Sequence, residues 1–131
     1  MKVFTSTDGC WSEKVNFVDE NNVVLGYDMA QDCCEHADWF IADRPMNKIM
    51  ERKTDKPRLN GYVFDKKFFK EVHDGDLGVP EYEFDEGGMA IFRITNGDKE
   101  KFIHIFNSHN GYYSHGFEFK AGQRIIQDRA L

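Results

Sequence analysis

The sequence predicts an α+β fold in which an antiparallel β-sheet of about five to seven strands carries one to three short helices on one face. Alternating apolar residues over Val15–Phe17 and Val23–Met29 indicate strands. Two Asn-Gly pairs inside Met89–Lys120 predict tight turns between further strands. Asp32 stands three residues before Glu35, which is the spacing of a helix capping box. The sequence therefore predicts a sheet together with at least one helix.

The strands are expected in two groups along the chain. The first group is a hairpin whose turn residues are Asp19–Asn22. The second begins with Met89–Thr95 and Lys101–Asn107, joined by the first Asn-Gly pair, because glycine adopts the positive φ that such a turn needs. The second Asn-Gly pair then opens a strand over Tyr112–Phe119, so these three strands are expected to form a β-meander.

One strand is expected at the centre of the sheet. Nearly every residue of Phe102–Phe106 is apolar or aromatic, which is typical of a strand covered on both faces. The tail, Gln123–Leu131, is expected to end as a brief strand around Ile125 and Ile126 or as a frayed helix.

Short helices are expected to cover one face of this sheet. The capping box would begin a helix over Cys33–Ala42, whose apolar residues recur at helical spacing. Asp65 would cap another over Lys66–Val72. The acidic segment Asp74–Glu86 is interrupted by glycine and proline and is expected to be a loop.

Composition restricts the class of protein. A chain of 131 residues with no linker rich in proline, glycine or serine predicts a single domain over residues 1–131. A net charge of −6 repels nucleic acid, so no nucleic-acid partner is expected. There is no basic-then-apolar leader, and no apolar run approaches the roughly 18 residues that span a bilayer. Three cysteines, Cys10, Cys33 and Cys34, cannot all pair, so we expect a cytoplasmic protein with reduced thiols and no membrane partner.

Three of the five histidines lie in the expected meander and are the most site-like residues of the chain. His104, His109 and His115 offer the three imidazoles that a catalytic zinc ion takes, or one general base, if the turn brings the strand ends together. Zinc is the one cofactor that the residues suggest. The alternative is that His104 and His115 are hydrogen-bonded residues of packed strand faces, because each alternates with aromatic residues. No ligand spacing such as His-Glu-x-x-His is present.

The turn between the last two expected strands is the candidate binding surface. Asn107, His109, Asn110, Tyr112 and Tyr113 combine aromatic area with hydrogen-bonding groups. This combination favours contact with a protein partner or a small ligand.

Cys34 offers a second chemistry. In the first turn of the expected helix, backbone N–H groups would favour its thiolate form, and His109 or His115 would then serve as the general base. The alternative is a small buried apolar residue on the helix stripe.

Two segments together resemble a small domain family of unknown function found in bacterial and phage proteins. They are Gly26–Met29 continued through Gln31–His36, with its Cys-Cys-Glu sequence, and Asn107–Phe117, with its His-Asn-Gly-Tyr-Tyr-Ser-His sequence. The resemblance extends from about Val15 to Phe119 and implies that the two segments share one site or one packing contact. It implies no activity, ligand or catalytic residue.

Two functions follow from these observations. The first is an accessory domain without catalytic activity that binds a protein partner or small ligand through the turn at Asn107–Tyr113. The alternative is a small hydrolase or transferase that uses a Cys34 thiolate, or a histidine-bound metal, with His109 or His115 as general base. The charge and the many aromatic residues also permit a symmetric homodimer.

Overall fold

The computed structural model of the chain describes residues 1–8, 12–29, 36–49, 58–73, 86–109 and 115–131. At the strand ends 6–8, 12–13, 36, 73, 86–87 and 108–109 it describes the backbone alone. The described residues contain ten β-strands and no helix. In chain order the strands are β1 (Lys2–Asp8), β2 (Ser12–Val18), β3 (Val23–Asp28), β4 (His36–Ala42), β5 (Val63–Phe64), β6 (Lys70–His73), β7 (Glu86–Asn96), β8 (Lys99–His109), β9 (Gly116–Ala121) and β10 (Arg124–Ala130).

These strands form two antiparallel sheets of five strands each. The first sheet has the order β1-β2-β3-β9-β10. The second has the order β4-β8-β7-β5, and β6 also pairs with β7. The described chain is therefore all-β, and the α+β prediction is wrong.

The helix expected over Cys33–Ala42 is instead strand β4 from His36 onward. Ala37 and Trp39 are buried in the core between the sheets, while Phe40 is buried on the opposite face of the second sheet. Because both faces are covered, both carry apolar residues, and the resulting apolar run fits helical spacing as well as it fits a strand. The expected capping box, Asp32 with Glu35, lies outside the described residues.

The helix expected over Lys66–Val72 is a turn followed by strand β6. The Asp65 carboxylate does accept the backbone N–H of Lys67 at 3.0 Å, and the Asp65 carbonyl accepts that of Phe68 at 3.2 Å. This cap ends after one turn, because the chain then pairs with β7 from Lys70 onward. Local capping chemistry was identified correctly, but the pairing with a distant strand determined the structure.

The main core lies between the two sheets and confirms the predicted first hairpin. The apolar residues that alternate along β2 and β3 face this core and are at most 2% exposed: Val15, Phe17, Val23, Leu25 and Tyr27. Rings from the two sheets meet there, with Phe17 edge-on to Trp39 at 5.1 Å and Phe92 edge-on to Phe119 at 4.9 Å. Such pairs stabilise the contact between the sheets beyond the burial of apolar area.

A second core covers the other face of the second sheet. Phe40, Met89, Ile91, Phe102 and Phe106 are buried there. Within β8, the alternate residues face the main core. The prediction that this strand is central and covered on both faces is therefore confirmed.

The expected meander is correct for its first two strands and wrong for the third. β7 and β8 pair from Asn96↔Lys99 outward, around a turn in which Gly97 has φ +59°. β9 pairs with β3 and β10 in the first sheet instead of with β8. The chain therefore passes from one sheet to the other between His109 and Gly116.

Hydrogen bonds join the two sheets at the end where the tight turns lie. The Asp19 carboxylate accepts the backbone N–H of Val23 at 2.9 Å in its own hairpin and that of Phe64 at 2.8 Å in the second sheet. Within the first sheet, the N–H of Gly122 donates to the carbonyl of Asn22 at 3.0 Å and links the β2–β3 turn to the β9–β10 turn at this same end. The strand ends that surround the candidate site lie at the opposite end of the sheets.

Candidate functional site

Four of the five histidines lie at the end opposite the tight turns. His36 begins β4, His73 ends β6, His109 ends β8 and His115 directly precedes β9. We call this region the histidine end. It includes strand ends of both sheets, so any ligand bound there would meet residues from both.

Strand register pairs an acidic residue with one of these histidines. Glu86 of β7 is directly opposite His109 of β8, and His73 of β6 is opposite Gly88. In an antiparallel sheet, directly opposite Cβ atoms lie about 4.5–5.5 Å apart and diagonal neighbours about 7–8 Å apart. His109 is therefore the direct cross-strand neighbour of Glu86, and His73 is its diagonal neighbour.

The same three positions share one face of the second sheet. Ala90 and Ile105 face the main core. Because successive residues of a strand alternate between faces, Glu86 belongs to the face of Ala90, and His109 to that of Ile105. His73 belongs to that face too, because Val72 beside it faces the second core.

Asn107 connects this end of the second sheet with the chain near β9. It is fully buried, and its side-chain Nδ2 donates to the carbonyl of Leu131 at 3.0 Å. The same carbonyl accepts the backbone N–H of His115 at 2.8 Å, and the N–H of Leu131 returns a bond of 2.8 Å to the carbonyl of His115. Positions 107 and 115 are thus held to one common residue.

Tyr27 makes a second connection between the sheets. Its hydroxyl donates to the carbonyl of Phe106 at 2.8 Å, across 79 residues of sequence. Its ring stands edge-on to that of His115, with 6.5 Å between the ring centres. His115 is 6% exposed, so it belongs to the packed boundary of the core.

His104 is a buried residue of the second core. Its Nε2 accepts the backbone N–H of Met46 at 3.0 Å, and its Nδ1 lies 3.1 Å from the carbonyl of Phe102. These partners require the tautomer that carries the proton on Nδ1, and the ring stacks on Phe40 at 4.2 Å. Burial lowers the pKa of His104 from 6.5 to about 4. Such an imidazole is neutral at physiological pH, and both of its nitrogens have partners.

The three histidines singled out from the sequence do not form one group. His104 and His109 are five residues apart on one strand, about 17 Å along it, and belong to opposite faces of the sheet. His109 and His115 lie at the same end of the molecule, on the two sides of the passage between the sheets. His104 is therefore separate from the histidine end.

Several predicted site residues lie outside the described part of the chain. They are Cys34, Asn110, Tyr112 and Tyr113. Among the side chains that the structure describes, no group of three or more His, Cys, Asp or Glu residues lies close enough to hold a metal ion. In the described residues, no helix has the length and apolar character needed to cross a membrane.

Two residues of the histidine end were not identified from the sequence. Glu86 was assigned to the end of an acidic loop, and His73 was not singled out. The first could have been found, because the tight turn at Gly97 fixes the register of β7 and β8. Counting outward from that turn by equal steps reaches Glu86 and His109 together.

No protein-family profile, curated protein or solved structure matches the chain. The resemblance to a bacterial and phage domain family therefore stays a prediction.

Proposed function

We propose that the chain is a binding module without catalytic activity, which holds a protein partner or a small ligand at the histidine end through residues 107–113. One observation carries this proposal. Asn107 and His115 both donate to the carbonyl of Leu131, so the segment between them starts and ends at positions that are fixed relative to each other.

Fixed ends matter because binding is weakened by the entropy lost when a surface becomes ordered. A segment whose two ends are held by buried hydrogen bonds loses less of that entropy than one between free strand ends. Tyr112 and Tyr113 would supply contact area with few rotatable bonds, and Asn110 and His109 would supply hydrogen bonds. These residue types suit recognition of a polar ligand or a protein surface.

The described residues offer no comparable support for the hydrolase or transferase alternative. His104, one of the three candidate metal ligands, has both ring nitrogens bonded to backbone groups and belongs to the opposite face of the sheet from His109, so these two histidines do not share one metal. Cys34, the proposed nucleophile, lies outside the described residues. Binding alone therefore accounts for more of the geometry than the alternative does.

The partner we propose is a protein or a small molecule, not nucleic acid, and the compartment we propose is the cytoplasm. A net charge of −6 disfavours approach to a phosphate backbone. Three cysteines, an odd number, suit a reducing compartment.

The test is an amide chemical-shift screen of the isotope-labelled chain against small polar compounds and against peptides. Compounds that bind should shift amides at 86–88, 105–109 and 115–117, and the double variant Tyr112→Ala with His109→Ala should lose these shifts. The matched control is Phe4→Ala with Ile125→Ala, because both side chains are more than half exposed on the first sheet, away from the histidine end. Binding that persists in the first double variant, or that is lost equally in the control, would overturn the proposal.

A further inference from the structure

We propose that the chain forms a symmetric homodimer in which strand β1 pairs antiparallel with β1 of a second copy. The two first sheets then join into one continuous sheet across the two-fold axis. The inference goes beyond the proposed function, because it concerns an edge of the first sheet and not residues 107–113.

Of the edge strands that the structure describes, β1 is the one best suited to accept another strand. It pairs with β2 over seven consecutive positions without a bulge. The opposite edge of the sheet, β10, has a shift of register between Ile125 and Gln127, and such bulges discourage edge pairing. On β4, the Asp38 carboxylate already accepts the N–H of Trp39 at 2.8 Å. β5 and β6 have only two and four residues, and short edges are poor templates.

Hydrogen bonds of the neighbouring hairpin show which residues of β1 bond to β2. The N–H of Asp19 donates to the carbonyl of Val23 at 3.1 Å, so these opposite residues form a hydrogen-bonded pair between β2 and β3. Alternate residues of β2 therefore bond to β3, and the residues between them bond to β1. Asn16 is one of the latter, and it is opposite Phe4. The main-chain groups of Phe4 are thus used within the chain.

The main-chain groups that face the open edge follow from this alternation. They are the N–H and C=O groups of Val3, Thr5 and Thr7, which alternate with Phe4 along the strand. A two-fold axis at Thr5 sets this residue opposite itself and sets Val3 opposite Thr7 of the second copy. Each such pair exchanges two hydrogen bonds, and all seven residues of β1 are paired. The strand therefore matches a second copy of itself in length and in hydrogen bonding.

The residues of β1 also suit this register. Phe4 is 53% exposed on the outer face of the sheet, because Val3 beside it packs against the main core. In the dimer, Phe4 and its equivalent in the second copy are diagonal neighbours on one face, within reach of each other's rings. By position in the strand, Lys2 stands opposite Asp8 of the second copy, and opposite charges at such positions stabilise antiparallel pairing.

The second sheet leaves room for the second copy. Trp39 lies on β4, the edge strand of that sheet, and its ring meets the ring of Phe17 on β2 at 5.1 Å. The edge of the second sheet therefore lies against β2, one strand inside β1. Among the described strands, none of the second sheet extends past β1.

The experiment is sedimentation equilibrium of the full chain over a range of concentrations, which should show monomers and dimers. Thr5→Pro removes an N–H that faces the open edge and none that bonds to β2, so it should raise the dimer dissociation constant by at least about tenfold. Phe4→Ala should raise it by about fivefold. Ile125→Ala is the matched control, because Ile125 is 54% exposed at the other edge of the same sheet, and it should leave the constant unchanged.

Hydrogen exchange of the unaltered chain gives a second readout that does not depend on the folding of variants. The amides of Val3, Thr5 and Thr7 should be protected in concentrated protein and lose that protection on dilution. The amide of Phe4 should be protected at both concentrations, because it bonds to β2. This alternation is specific to pairing through the open edge of β1.

Three results would overturn the inference. One is a chain that stays monomeric at the highest concentration used for hydrogen exchange, which would leave the edge to an unlike partner. Another is a dimer that Ile125→Ala weakens as much as Phe4→Ala does. The third is a dimer in which dilution leaves the exchange of Val3, Thr5 and Thr7 unchanged, because its interface would then lie elsewhere.

Discussion

The stability of the protein should fall on acidification because of His104, and replacing this residue should remove most of that dependence. Burial lowers the pKa of His104 from 6.5 to about 4. Between these two values the unfolded chain takes up a proton that the folded chain does not, so the contribution is complete above pH 6.5 and is lost as pH falls toward 4. Each pH unit in this interval is worth about 1.4 kcal/mol, so the loss amounts to about 3 kcal/mol of the free energy of unfolding.

The variant that tests this is His104→Phe. A phenyl ring keeps the stack on Phe40 but leaves the backbone N–H of Met46 without its acceptor. At neutral pH the variant should therefore be less stable by about 1–3 kcal/mol, the cost of a buried unsatisfied donor. Near pH 4 the difference should vanish or reverse, because only the unaltered chain loses the histidine contribution.

The assay is urea unfolding followed by tryptophan fluorescence at a series of pH values, with the two chains compared at each. Groups that titrate in both chains cancel in the difference. His104→Gln is the control, because its amide can accept from Met46 and donate to the carbonyl of Phe102 without titrating in this range. It should cost less than His104→Phe at neutral pH and show the same loss of pH dependence. A stability difference that stays constant from neutral pH to pH 4 would refute the reasoning.

Three further substitutions test the framework of the fold. Asp19→Asn should lower the free energy of unfolding by about 1–3 kcal/mol and reduce the hydrogen-exchange protection of the Phe64 amide, and full protection there would contradict the connection between the sheets. Gly97→Ala should lower the free energy of unfolding by about 1–2 kcal/mol, because an alanine there would be forced to a positive φ. Gly61→Ala should lower it by more, because its φ is also positive and its added Cβ would lie 2.9 Å from the Asn96 side chain. Equal losses for the two variants in urea unfolding would contradict this. Leu131→Ala should cost about 2–5 kcal/mol in the same assay, because the side chain is 9% exposed in the main core, and a loss below about 1 kcal/mol would contradict its role there.

Sequence reasoning succeeded where the structure is determined by local pattern. The alternation along β2 and β3 identified one buried face, and the Asn-Gly pair before Asp98 identified the turn between β7 and β8. Both features depend on residues close together in the chain, where side-chain period and turn chemistry act directly.

The errors arose where distant strands determine the structure. Trp39 and Phe40 are consecutive residues that lie on opposite faces of β4. Both are apolar because different layers of the protein cover the two faces of this strand. No pattern within β4 distinguishes that from a helix. The pairing of β9 with β3 joins Tyr27 to Phe117, ninety residues apart along the chain. Such a pairing depends on how the two sheets assemble, so the sequence predicted a meander in its place.

The candidate site was partly predictable for the same reason. The sequence predicted Asn107, His109 and His115 as site residues because they lie close together in the chain, and they do lie at one end of the sheets. The same clustering in the sequence also suggested His104. His104 and His109 are an odd number of residues apart on one strand, so they belong to opposite faces of the sheet. Glu86 was identifiable only by extending the register outward from the turn.

Position along a strand, not residue type, separates the roles of the histidines. His104 lies in the interior of β8, where burial lowers its pKa and keeps it neutral, and both of its ring nitrogens have backbone partners. His109 ends the same strand, beside the passage between the sheets. If this division holds, His104→Gln should alter the pH dependence of unfolding and leave the ligand-induced amide shifts at the histidine end unchanged, whereas His109→Ala should weaken those shifts and leave that pH dependence in place. Two histidines of one strand would then be independent, because one belongs to the core and the other to the site.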